Sequence, residues 1–438
     1  MAATKKIILG DLCTIIDCEH KTAPTEDVGI PLIRTPNIGV GRLILDNVQR
    51  ISENTYKLWT RRAEPKPGDL IMAREAPVGN VAIIPNNEKV CLGQRTVLIR
   101  LKDAGVDANY LNYLLNSSAM NTYLNLLSNG ATVGHLNVTD IRRLSLPILP
   151  SKSSQQKIAA ILTAYDDLIE NNQRRIALLE KMAEGIYREW FVRLRFPGHE
   201  KVKKVKGVPD GWTVKQFHEI VEYYIGGGWG EDDQSTTFSE AAFVIRGTDI
   251  PDIQAGKFED CPYRFHKPSN LKSRTLQAGD FVFEVSGGSK DQLLGRNVFI
   301  TGRLLNFFNA PVIAASFCKQ IRFRRELASP YFMKYFMKLY YDYDLVGIYQ
   351  IQSTGISNYQ FESFLKYQTI VLPPDELQKK FEDMVKPIIE MRDGISLANI
   401  ELRKTRDLLL PRLISGKLSV ENLDIRFPPG MEEAAHAA

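Results

Sequence analysis

The chain has 438 residues, more than one hydrophobic core usually serves, so two or more domains are expected. Its apolar content excludes wholesale disorder, and a formal net charge of +5 admits nucleic acid as a partner without demanding it. No window approaches the roughly 18 apolar residues of a membrane span, residues 1–10 lack the shape of a signal peptide, and the scattered Cys13, Cys18, Cys91, Cys261 and Cys318 read as reduced thiols of a cytoplasmic protein.

Residues 1–150 alternate short apolar runs with turn residues. Strands are expected over 30–38, 69–73, 80–85, 96–101 and 144–149, with a helix over 109–127 and a polar loop over 128–134. The spacing then changes. Ile158, Ile161, Leu162, Tyr165, Leu168, Ile169, Ile176, Leu179, Met182, Ala183, Ile186 and Trp190 recur in steps of three and four, which predicts one amphipathic helix over 155–191. Asn172 falls where a hydrophobe is due. Such a helix spans roughly 55 Å at 1.5 Å per residue, more than a small domain requires. A lysine-rich stretch follows, with Lys201, Lys203, Lys204 and Lys206, readable as a solvated connection or as a phosphate contact. A second body opens near Pro209, and Phe381, Val385, Ile388, Ile389, Ile395, Leu402, Leu409 and Leu413 predict a second long helix over 377–413. The expected division is 1–150, a first body; 151–195, a long helix; 196–207, a linker; 208–374, a second body; 375–418, the second helix; and 419–438, a tail.

The chain repeats itself. Ile33-Arg34 through Asn37-Ile38 returns as Ile245-Arg246 through Asp249-Ile250, and Pro67-Gly68-Asp69 answers to Ala278-Gly279-Asp280. Leu149-Pro150 with Gln155 and Lys157 returns as Leu372-Pro373 with Gln378 and Lys380, and Arg195-Phe196-Pro197 as Arg426-Phe427-Pro428. The order of these matches predicts a duplicated unit of body plus helix. The fold class is therefore mixed α/β (α+β), with two bodies joined by two long antiparallel coiled-coil helices in a pseudo-two-fold arrangement. Duplex DNA, with separate readable patches along one axis, is the target such an object suits.

Signals for chemistry are weak. No phosphate-cradling G-x-x-x-x-G-K-[ST] occurs, and the run Gly226-Gly227-Gly228-Trp229-Gly230 is followed by acidic Glu231-Asp232-Asp233. Asp46 with Glu64-Pro65-Lys66 imitates a nuclease triplet but is flanked by prolines, and Cys13, Cys18 and His20 lack a fourth zinc partner. No catalytic residue, metal or cofactor is assigned. Base edges are read by Arg, Lys, Asn and Gln, while basic and hydroxyl side chains hold phosphates. The candidates for DNA contact are Arg34, Thr35, Asn37, Arg74, Gln94, Arg95, Asn129, Thr132 and His135 in the first body. In the second they are Arg246, Thr248, Ser289, Lys290, Gln292, Arg296, Gln350 and Gln352. Tyr187, Trp190 and Phe191 are candidates for a partner interface, with core packing as the competing reading.

The segment from Pro150 to Phe191, with Gln155-Gln156-Lys157-Ile158-Ala159, Asn171-Asn172 and Tyr187-Arg188-Glu189-Trp190-Phe191, resembles the central conserved region of the specificity subunit of Type I restriction–modification systems. The run from Leu408 to Leu418 resembles the distal conserved region of that family. The resemblance implies two target-recognition domains reading a bipartite double-stranded DNA sequence, helices that set the unread spacer, and no catalysis in this chain. It also implies two methyltransferase subunits as partners and restriction subunits joining through the complex, with S-adenosylmethionine and ATP–magnesium belonging to those partners. The alternative is a protein-interaction scaffold built on a helical rod.

Overall fold

The computed structural model describes residues 7–128, 134–287, 292–352, 356–428 and Met431. The chain forms two compact units, one of residues 1–168 with 403–438 and the other of residues 169–402. The division cuts both long helices, Lys152–Tyr187 and Asp375–Ile414, so each unit owns part of each.

In the first unit the main sheet runs in the order Cys13–Asp17, Thr96–Leu101, Leu70–Ala73, Val81–Ile83, Gly41–Arg42. Beside it, Ile30–Ile33 pairs antiparallel with Arg50–Ile51 and parallel with Cys91–Leu92. The second unit repeats this plan. Its main sheet runs Val221–Gly226, Cys318–Phe323, Phe281–Glu284, Asn297–Phe299. Its smaller sheet centres on Glu240–Ile245, antiparallel to Tyr263–His266 and parallel to Val312–Ala314. Ile7–Ile8 with Ser145–Leu146 in one unit corresponds to Thr213–Gln216 with Thr369–Leu372 in the other.

The internal repeat extends to individual hydrogen bonds. Asp69 receives Arg100 through Nε (2.9 Å) and Nη2 (2.6 Å) and caps the Lys66 N–H (2.8 Å). Asp280 receives Arg322 in the same two-pronged way (2.7 and 2.8 Å) and caps the Gln277 N–H (2.7 Å). At the head of the first long helix, buried Gln155 donates to the Gly105 and Pro150 carbonyls and accepts from the Asp107 N–H. Gln378 does the same with the Leu327 and Pro373 carbonyls and the Ser329 N–H. A buried amide that meets three backbone groups at once fixes where a helix starts, because each group would otherwise be desolvated unpaired.

The two helices run antiparallel within each unit. Asp166 pairs with Arg406 (2.6 Å) in the first. In the second, Asn172 Nδ2 donates to Asn399 Oδ1 (2.8 Å), Asn399 Nδ2 donates to the Ile169 carbonyl (3.2 Å), and Glu180 meets Arg392 (3.0 Å). Asn172 interrupts the apolar stripe because Asn399 faces it, both buried. A paired polar residue in a helix seam favours one register at some cost in stability.

Several expected boundaries move. The region 109–127 is two helices, Ala108–Leu115 and Ser118–Leu127, since Ser117 bonds the Leu114 carbonyl and caps the second. The expected strand 30–38 stops at Ile33, and Thr35–Asn37 is a 3-10 turn. The first helix passes at Arg188–Val192 into a wider π turn. The lysine-rich stretch is a hairpin, Lys204–Val205 against Val208–Pro209, rather than a free linker. Leu413, Val420, Ile425, Phe427 and Met431 pack on the first unit's core, so the segment after the second helix is part of that body. Residues 429–430 and 432–438 of the expected tail lie outside the described residues. No helix among the described residues is long and apolar enough to cross a membrane.

Candidate nucleic-acid interface

In both bodies the central strand of the small sheet ends in an arginine and a 3-10 turn. At the first, Asn37 Oδ1 accepts the Arg34 N–H (3.1 Å) and its Nδ2 donates to the Ile44 carbonyl (3.2 Å). Both polar atoms of this buried side chain serve the turn, so Asn37 positions Arg34 and is withdrawn as a base reader. Arg34 itself is exposed. Its stem lies against Gly93, where a Cβ would come within 2.7 Å of Arg34 Cγ and 2.9 Å of the Ile33 carbonyl. A glycine there lets the turn 93–95, with Gln94 and Arg95, approach Arg34.

Three of the remaining described candidates of the first body, Arg95, His135 and Arg74, form one chain of polar contacts through Glu75. Arg95, with its side chain 64% exposed, holds Glu75 Oε2 (3.0 Å). Glu75 Oε1 meets His135 Nδ1 (2.7 Å), and His135 Nε2 meets Arg74 Nη2 (2.7 Å). A guanidinium has only donors, so Nε2 accepts and the imidazole proton sits on Nδ1, donating to Glu75. Arg74 also donates to the Leu136 carbonyl (2.8 Å) and to Asp17 (3.2 Å) and is buried. It therefore braces the cluster from beneath and does not reach solvent, a correction to its expected role. Gln94 donates to the His20 carbonyl (3.2 Å). What the surface presents is Arg34, Thr35, Arg95, and the edges of Gln94 and His135.

The zinc trio considered from sequence does not assemble. Cys13 and Cys18 belong to different core clusters, and burial pushes the Cys13 thiol up to about 12 and raises that of Cys18. Asp17, Cys18 and His20 do bring ligand atoms within 4.8 Å of one another. Asp17 is already committed to Arg74 and to His20 Nε2 (3.0 Å), and the Cys18 thiol is held protonated.

In the second body Arg246, Thr248, Gln292 and Arg296 line one cavity of about 760 Å³, together with Trp229, Glu284 and Phe317. Arg246 is gripped by Asp249 (Nη2 to Oδ1 2.6 Å, Nε to Oδ2 3.0 Å) and donates to the Asp260 carbonyl. Arg296 is bidentate on Glu284 (2.7 and 2.5 Å), and the Gln292 amide oxygen, oriented to satisfy both groups, accepts from its Nη1 (2.7 Å). Gly247 allows the acid this close, since a Cβ there would meet Glu284 Oε1 at 2.5 Å. Gln350 accepts the Leu294 N–H (2.9 Å), so it shapes the wall, while Thr248 and Gln352 are exposed. Asn129, Thr132, Ser289 and Lys290 lie outside the described residues. Sequence reasoning passed over Asp17, Glu284 and Phe317. Aligning Gly279-Asp280 on Gly68-Asp69 would have flagged Glu284, which ends its strand where Ala73 ends the other.

The aromatic trio at the end of the first helix belongs to the core. Tyr187 and Trp190 are buried, and Tyr187 packs on Phe332 (5.4 Å between centroids) and Phe381 (5.8 Å). Phe191, half-buried, meets the same two rings edge-on (4.9 and 5.0 Å). This corrects the expected partner interface at Tyr187 and Trp190, since a side chain already enclosed has no face left for another subunit.

A family model described as Type I restriction modification DNA specificity domain matches residues 4–181. Over 390 residues the chain is 28% identical to the Type I restriction enzyme MjaIX specificity subunit of Methanocaldococcus jannaschii, covering 86% of this chain and 83% of that protein. The putative type I restriction enzyme MjaX specificity subunit of the same organism is 22% identical over 365 residues, 81% of this chain and 79% of its own. Among solved structures, the Type I restriction–modification S subunit from M. genitalium aligns with a TM-score of 0.57 across 94% of this chain and 97% of that one, at 14% identity, a likeness of fold.

Proposed function

Because the chain belongs to the specificity subunits of Type I restriction–modification systems, we propose that it reads a bipartite, asymmetric sequence in double-stranded DNA, one half-site per body. The chain is the non-catalytic component of such a complex. The observation that carries the reading is the pairing of a repeated frame with unlike reading edges. Arg34 with Asn37 stands where Arg246 with Asp249 stands, and each edge carries base-reading side chain types. Equal frames hold two surfaces to one ligand type, and unlike edges select two sequences.

In this reading the long helices set the unread spacer and carry two methyltransferase subunits, through which restriction subunits join, in the cytoplasm. Methyl-group chemistry and ATP-driven steps belong to those partners. The test is modification-site sequencing of DNA from cells holding this chain and its methyltransferase. The expected outcome is a single interrupted motif with unlike halves. A palindromic motif would refute asymmetric reading, and binding indifferent to sequence would return the chain to a scaffold role.

A further inference from the structure

Among the charged residues lining the second body's cavity, Glu284 and Arg296 are the least exposed. The Glu284 side chain is 6% and the Arg296 side chain 15% exposed. Base edges in a stacked duplex lie at the bottom of a groove and can be met only by side chains that protrude. Whatever touches Glu284 and Arg296 must enter the cavity. We propose that this cavity receives one nucleobase of the second half-site turned out of the duplex, an inference that rests on the DNA-reading function above.

The lining suits a planar heterocycle. Trp229 is 40% exposed and carries the Arg264 guanidinium 4.4 Å from its ring centroid, which orients the indole; Phe317 is 63% exposed. Bases stack on such side chains whatever their identity, and the gain offsets the cost of unpairing. The floor then discriminates. Arg296 occupies one site on each Glu284 oxygen, and a carboxylate has acceptor capacity beyond that for a ring N–H or exocyclic amine. The Thr248 hydroxyl can donate or accept, while Ser286 Oγ, whose O–H is spent on the Ser357 carbonyl and Asn358 Oδ1, can accept. Because the acid is already paired, the site holds its geometry before the base arrives. A free nucleoside has the same chemistry, so the experiment separates the two sources.

The experiment is a mismatch scan of the mapped target with the assembled complex, omitting the pair that carries the methylated base, which the methyltransferase has its own reason to expose. An everted base costs less to extract from a mismatch. At one pair of one half-site, a mismatch is expected to tighten binding about tenfold, equivalent to about 1.4 kcal/mol. Trp229→Ala and Glu284→Gln each remove that gain while leaving the mismatch response of the other half-site intact. If every mismatch weakens binding, the bases are read in place and the proposal falls while the DNA-reading function stands. Loss of all sequence preference in the unaltered complex would overturn both. Saturable quenching of Trp229 by guanosine or adenosine, without any mismatch gain, would give the cavity to a soluble ligand and also overturn the proposal.

Discussion

In the first body Arg34 leaves its strand with an exposed side chain, because the neighbouring Asn37 uses its amide on backbone groups alone. In the second the equivalent Arg246 is folded back onto the Asp249 carboxylate, which caps the same backbone N–H (2.8 Å) and still has oxygens for the guanidinium. One atom in the side chain three residues on, nitrogen or oxygen, decides whether the arginine extends or retracts. Beneath this difference the frames agree: Asp69–Arg100 and Asp280–Arg322 tie the same two strands, and Gln155 and Gln378 seat the same two helices. The energetically costly interior is kept and the solvent edge is varied, so the edge can change without refolding the domain.

The largest expected effect tests whether the two frames are equally deep. Asp280 is 1% exposed and also accepts Gln320 Nε2 (2.8 Å), so Asp280→Ala strands a half-buried arginine, an amide and a backbone donor. Removing one member of such a pair costs roughly 3 kcal/mol or more. Asp69→Ala should cost about half of that, since Arg100 keeps the Glu64 carbonyl (2.6 Å) and is 30% exposed. Denaturant melts followed by hydrogen exchange in each unit measure the two; equal losses would show that the extra contacts of Asp280 carry no weight.

Acid separates the bodies next. Burial alone would raise the Glu180 carboxyl, but Lys334 and Arg392 outweigh it and hold the group down at about 2. A carboxyl lowered by folding contributes stability above its ordinary pKa of 4.5, and that contribution is lost as pH falls from there through about 2. The amount is on the order of 3 kcal/mol. Asp107 of the first unit goes the other way, because burial raises its pKa and protonation relieves a cost. Hydrogen exchange at pH 3 should therefore show residues 169–402 losing protection before residues 7–128. The reverse order would mean that Glu180 is not held ionised.

At the reading edge the effects are smaller and local. Arg95→Ala and Arg34→Ala should each cost about 1–3 kcal/mol in DNA binding if the side chain meets a base, and relax one half-site only. Modification mapping reports this directly, and relaxation of both half-sites would contradict separate reading by the two bodies. Arg74→Ala should instead lower the first body's melting point, since its partners are Leu136, Asp17 and His135.

That contrast marks how far the sequence could be read. The long helices were legible because their spacing is local, and the repeat because short strings return in order. Asn172 was visible as an interruption, but its partner Asn399 is 227 positions away. The same distance problem divided the candidate list. Arg95 lies just outside a strand that local signals place, and Arg34 falls inside the expected strand 30–38 although the strand ends at Ile33, whereas Arg74, Gln350 and Tyr187 are used up by Leu136, Leu294 and Phe332, which only the fold brings to them. A polar or aromatic residue type announces capacity for a contact, and whether that capacity is spent indoors depends on the other end of the chain.

The smallest effect concerns the single atom that distinguishes the two turns. Asn37→Asp gives the first body the second body's arrangement: a carboxylate that caps the Arg34 N–H and attracts its guanidinium. The Ile44 carbonyl loses a donor, a cost near 1 kcal/mol to folding. Arg34, folded back, should no longer reach a phosphate or base, and the new negative charge lies near the DNA. Binding should weaken by about 1 kcal/mol and the slope of log affinity against log salt should fall by about one if Arg34 meets a phosphate. The converse change, Asp249→Asn, releases Arg246 and should steepen the salt dependence of the second half-site. Fluorescence anisotropy over a salt series with target duplexes measures both. If Asn37→Asp weakens binding but leaves the slope unchanged and blurs one base pair in modification mapping, Arg34 reads a base. If neither slope nor specificity moves in either variant, the two arginines are bystanders, and the half-sites are distinguished by the Arg95 cluster and the cavity residues instead.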